Sequence, residues 1–128
     1  MNISEVAKQT GLTAKNIRFY EEKQVASLPE RGANGYRVYN PQQVAELHLI
    51  RRSRIVGFSL EEIKALLQLT RDPHRKSADV KARVMAKIEE VEEKIKELHE
   101  MKKTLKALAE DCPGDGGARC PIIEKLTS

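Results

Sequence analysis

The sequence predicts a mainly α-helical protein: a winged helix-turn-helix head, then a long dimerisation helix, then a cysteine-bearing loop with a short terminal helix. Three observations predict it. Two short amphipathic segments flank a glycine turn in "SEVAKQTGLTAKNIRFYEE". An Asn34-Gly35 pair, a hairpin signal because both residues tolerate positive φ, is followed by the alternating "YRVY". From Val84 onward, apolar residues recur at spacings that alternate four and three, the seam of a coiled coil.

Each element follows in order. Ser4 is placed to cap a first helix carrying Val6 and Ala7 inward. Gly11 suits the turn, Leu12 packs inward and Thr13 caps a second helix, "AKNIRFYEE". That helix sets Ile17 and Tyr20 on one side and Lys15, Arg18 and Glu22 around the other, the layout of a helix-turn-helix. "PERGANGYRVYN" reads as a two-stranded wing. Pro41 opens a third helix to about Val56, with Val44, Leu47, Ile50 and Arg51 at helical spacing, and Gly57 stops it. "SLEE" is a capping box for a fourth helix through Leu69.

Ser77 is placed to cap a helix running to Glu110, roughly 50 Å at 1.5 Å per residue. Its stripe, Val84, Ile88, Val91, Ile95 and Leu98, continues at Leu105 and Leu108 after Lys102 interrupts the register. A small domain cannot bury so narrow a stripe alone, and an identical chain in a two-fold dimer is the simplest partner. Pro121 opens a last helix whose Ile122, Ile123 and Leu126 are expected to fold back on that seam. The expected division is a DNA-binding-type head over 1–70, a linker over 71–76, the dimerisation helix over 77–111, and the loop with its short helix over 112–128.

Composition narrows the function classes. No segment approaches the roughly 18 continuous apolar residues of a membrane span, and "MNISEVAKQT" has no signal pattern, so the expected location is the cytoplasm and no membrane is involved. The net charge of +4 is uneven: residues 1–76 hold 13 basic and 8 acidic side chains, and residues 77–128 hold 10 and 11. The basic half is the candidate for a polyanion. Lys15 and Arg18 project from the second helix towards a major groove, while Tyr20, Arg31, Tyr36 and Arg37 suit backbone contacts. Paired heads on a two-fold dimer predict a roughly palindromic site in double-stranded DNA.

Both cysteines lie in "DCPGDGGARCP". No C-x-x-C is present and none of His48, His74 and His99 adjoins a cysteine, which speaks against thiol catalysis and an enzyme. Reducing cytoplasm disfavours a structural disulfide. Glycines let Cys112 and Cys120 face each other, and soft thiolates favour soft ions such as Cu(I), whereas structural zinc takes four protein ligands. A two-coordinate monovalent ion is the economical reading, leaving a net charge of −1 for a lysine or helix N-terminus to offset. A reversible redox disulfide stays open beside it.

"MNISEVAKQTGLTAKNIRFYEEKQV", "ANGYRVY", "VGFSLEEI", the long helix and "CPGDGGARCPII" together resemble the MerR family of transcription regulators over essentially the whole chain. The two-cysteine loop resembles that of the metal-sensing branch. The resemblance implies a homodimer with an antiparallel coiled coil between subunits. It makes Lys15, Arg18, Tyr20, Arg31, Tyr36, Arg37 and Arg54 DNA-contact candidates and Cys112 and Cys120 the metal ligands. It also implies that the start of the partner's long helix, here Ser77 and Lys81, closes over the loop. Divalent-metal relatives carry cysteine where Ser77 stands, so serine implies Cu(I), with Ag(I) or Au(I) as substitutes. The implied mechanism is activation of copper-efflux promoters for RNA polymerase by distorting operator DNA when metal is bound.

Overall fold

The computed structural model describes residues 1–128 and is mainly helical. In chain order it has α1 (Ile3–Thr10), α2 (Ala14–Glu22), β1 (Glu30–Arg31), β2 (Arg37–Val38), α3 (Pro41–Ile55), α4 (Leu60–Arg71), α5 (Ser77–Glu110) and α6 (Pro121–Thr127). Two compact units form, Met1–Arg83 and Val84–Ser128.

The first unit closes on one small core. Val6 of α1, Ile17 of α2, Ile50 of α3 and Ile63 of α4 are fully buried, with Leu47 and Leu67 nearly so. One branched or leucyl side chain per helix at a common centre is how four short helices stabilise one another where none would persist alone. Local chemistry fixes their ends. Thr13 accepts from the Asn16 N–H, while Asn40–Gln43 and Ser59–Glu62 each form a reciprocal capping box. Gly11 ends α1 in the left-handed region at φ 77°, and its missing Cβ leaves room for the Arg51 guanidinium, whose Nε would lie 2.8 Å from a methyl there.

Three boundaries differ from expectation. Asn2, not Ser4, caps α1 by accepting from the Glu5 N–H. Helix α4 runs to Arg71, two residues beyond Leu69, because Arg71 reaches back to Glu46 with Nη2 to Oε1 at 2.8 Å. Ser77 is the first residue of α5 rather than its cap.

Two buried carboxylates lock the head. Glu46 on α3 accepts from Ser27 Oγ at 2.7 Å and from Arg71 Nε at 3.1 Å, joining the α2–β1 connection to the end of α4. Glu21, 4% exposed at the end of α2, accepts from Tyr39 Oη at 2.5 Å, and its Oε2 faces Arg37 Nε at 3.3 Å without hydrogen-bond alignment. Burial first, then the bond to Glu21, holds the Tyr39 phenol far above its ordinary pKa. The wing is thereby fastened to the second helix. Its strands pair antiparallel, Glu30 with Val38 and Arg31 with Arg37.

In the second unit the α5 stripe is open. Val84, Ile88, Val91, Ile95, Leu98 and Leu105 are all exposed along the helix. A long helix whose coiled-coil seam meets no partner within its own chain fits a dimerisation helix.

Candidate nucleic-acid interface and cysteine loop

Residues far apart in sequence converge on the head's basic face. Arg18 of α2 and Arg31, Tyr36 and Arg37 of the wing line one cleft of about 420 Å³, together with Asn2, Ile3, Ser4 and Asn34. Four predicted DNA contacts therefore share a single concave surface. The wing tip is held by Arg31 Nη1, which donates to the Gly35 carbonyl at 2.9 Å, and by Asn34 Oδ1, which accepts from the Tyr36 N–H. Tyr36 stands 71% exposed. Arg37 is more confined because its guanidinium also faces Glu21.

Sequence reasoning missed the α1 end of this cleft. Tyr39 N donates to the Met1 carbonyl at 2.8 Å, which lays the chain start beside the wing. That pairing spans 38 positions, and no local signal announces it.

The remaining candidates lie elsewhere on the head. Lys15 is exposed on α2 and Arg54 is exposed on α3, and neither lines the cleft. Tyr20, also a DNA-contact candidate, lies on the inward side of α2 with Ile17, 7% exposed and packed into the core. Ser77 and Lys81 are exposed near the start of α5.

At the other end of the chain, α5 unwinds at Asp111 and the loop returns to α6. Cys112 and Cys120 are free, half-buried thiols with Sγ atoms 3.9 Å apart. That separation is nearly twice the roughly 2.05 Å of a disulfide. It is also shorter than the 4.6 Å or so that two thiolate–metal bonds of about 2.3 Å can span, so one ion reaches both sulfurs. Cys120 occupies the cap position of α6 and makes no side-chain cap of the ordinary kind. Its thiol is pulled below the ordinary value, first by the backbone N–H of Ile123 and then by Cys112 and the N–H of Ile122, against an opposing push from burial. Lys125 pairs with Asp111 at 3.3 Å and Arg119 with Glu124 at 3.5 Å, so charged side chains tie the loop's flanks. No group of three or more His, Cys, Asp or Glu side chains gathers anywhere in the chain. The two sulfurs therefore face each other with no third such side chain grouped with them.

With this geometry in place, comparison with known proteins defines the class. Residues 1–70 match the family described as MerR HTH family regulatory protein, and residues 44–108 match that described as MerR, DNA binding. The chain belongs to the MerR family of DNA-binding transcription regulators, which are not enzymes. Within it, the chain is 56% identical to the HTH-type transcriptional regulator CueR of Escherichia coli over 127 residues, covering 99% of this chain and 94% of that one. Among solved structures, the fold resembles the regulator PbrR691 from Ralstonia metallidurans in complex with lead(II), with a TM-score of 0.86, 32% identity and 98% of each chain covered. It also resembles MerR from Bacillus megaterium in complex with mercury(II), with a TM-score of 0.76, 36% identity and 95% of each chain covered. No helix is long and apolar enough to cross a membrane.

Proposed function

We propose that this protein is a Cu(I)-responsive activator, with Ag(I) and Au(I) as substitutes, that works in the cytoplasm as a homodimer on promoter DNA. The observation that carries the reading is the isolated pair of sulfurs, 3.9 Å apart with no third ligand nearby. Two soft donors suit a monovalent ion of low coordination number, whereas tetrahedral zinc would lack half its ligands. The identity to CueR and the metal complexes of PbrR691 and MerR support metal sensing.

A bound monovalent cation supplies one positive charge to two thiolates. The chain's own groups do the rest. Cys112 and Cys120 give up their protons, and the start of α6 favours the thiolate of Cys120. Ser77 and Lys81 of the partner subunit would cover the loop, the lysine offsetting the residual negative charge. Fixing the loop fixes where α6 begins, and α6 carries Ile122, Ile123 and Leu126 towards the dimer seam. The bias then passes along α5 to the heads, since a ligand shifts a conformational equilibrium only through differential affinity for its states. On a pseudo-palindromic operator the heads bend and untwist the DNA so that RNA polymerase can use the promoter. Smooth deformation of such a site costs on the order of 1–6 kcal/mol, and ion–thiolate bonding is large enough to supply that bias.

The test is an anaerobic titration of the reduced protein with Cu(I) against a competing chelator, beside Zn(II). One tightly held Cu(I) per chain, lost in Cys112→Ser while operator binding is retained, is expected. Equal preference for Zn(II) would remove the two-sulfur reading.

A further inference from the structure

Helix α2 buries Ile17, Tyr20 and Glu21. Its opposite face is the i, i+3, i+4, i+7 set Lys15, Arg18, Phe19 and Glu22, all of them exposed. Phe19 therefore sits on the outward face of this helix, 40% exposed, one turn from Lys15 and Lys23 and next in sequence to Arg18. Its ring meets Tyr20 edge-on, with centroids 5.6 Å apart, and the Lys23 ammonium lies 5.8 Å from its centroid.

Of two adjacent aromatics, the one without a polar atom is thus the one left in water. Burial alone would choose the reverse, since phenylalanine is more often interior than tyrosine. A phenyl ring offers no hydrogen bond to a phosphate. What it offers on a groove-facing helix is an apolar contact, and the apolar group that base pairs display in the major groove is the thymine C5-methyl. Lys15 and Arg18 beside it would carry the polar reading of purine edges or phosphates.

We propose that Phe19 is a specificity-determining residue that reads a thymine methyl group in the operator. This rests on placing α2 in the major groove, and the experiment separates the two. A random double-stranded library is first selected with the full-length dimer at fixed salt. A pool without consensus overturns the groove reading itself, and this one with it. On the recovered duplex, each dT is then replaced singly by dU, which removes only the methyl group. Wild type should lose about fourfold in affinity at one position in each half-site, the weight of one buried carbon. Phe19→Gln, which keeps good helix propensity, should bind more weakly and show no further loss at those positions. Phe19→Leu should keep the methyl preference, which separates a lost contact from a disturbed helix. Indifference of wild type to every dT-to-dU change overturns the proposal. So does a methyl preference that survives unchanged in Phe19→Gln.

Discussion

Tyr39→Phe removes one oxygen from the joint between the wing and α2. In the native head that oxygen donates to Glu21 at 2.5 Å, and both residues are 4% exposed. A hydrogen bond to a charged group is worth about 1.5–3 kcal/mol. Arg37 stays 3.3 Å from the other carboxylate oxygen and is partly solvated, so the lower half of that range applies, about 2 kcal/mol. With a urea dependence of about 2 kcal/mol per molar, the unfolding midpoint should fall by about 1 M. Comparison at matched protein concentration is needed, because association contributes to the stability of a dimer. Operator affinity should fall as well, since the wing and α2 lose a shared anchor, while Cu(I) affinity of the free dimer should not move. The pH dependence supplies a second readout. The folded head keeps Tyr39 protonated above its ordinary pKa of about 10, so this contribution is full below that pH and is lost as pH rises beyond it. Phenylalanine has no proton to lose, so the gap between variant and wild type should narrow above pH 10 or so. An unchanged midpoint together with a constant gap would refute the buried Tyr39–Glu21 joint.

Three further outcomes are expected. Arg18→Ala should weaken operator binding and, if its partner is a phosphate, reduce the slope of log affinity against log salt by about 1; a superimposable curve at every salt concentration would remove Arg18 from the interface. Gly11→Ala should destabilise the head by about 1–2 kcal/mol, because φ is 77° there and the new methyl crowds the movable Arg51 guanidinium; thermal unfolding of the two proteins checks it. Ser77→Cys should extend the metal response towards divalent ions in competition titrations, and identical selectivity would show that this position does not govern it.

What was legible before the structure follows from the range of the interactions involved. The Ser59–Glu62 capping box, the Asn34-Gly35 turn and the apolar stripe of α5 depend on residues within one or two turns of each other, and all are present. The arginines and tyrosine of the wing were legible as basic and aromatic groups flanking a turn. Their convergence with Arg18 and the α1 end needed the Met1–Tyr39 pairing, which no short window contains. Tyr20 carried two local signals at once, an inward helical position and a polar tip, and its ring is packed inward as the first required. No local signal marks Glu21 and Glu46 for burial, since it depends on Tyr39, Arg37, Ser27 and Arg71 from other elements. At the loop, the glycine spacing suggested that the thiols could meet. That Cys120 stands at the cap position of α6, where its thiol is pulled below its ordinary value, depends on how the helix starts, which only the fold reveals.

The central claim is that capture of a monovalent ion by Cys112 and Cys120 changes how a DNA-bound dimer uses its promoter. Transcription in a purified system measures it most directly, with the selected operator placed between the promoter elements, polymerase and reduced dimer present throughout, and Cu(I) or Zn(II) added. Transcript should rise with Cu(I) and not with Zn(II), and should not rise for Cys112→Ser at equal operator occupancy. Transcript that rises equally in the Cys112→Ser protein, or that stays flat while wild type holds one Cu(I) per chain, would contradict it.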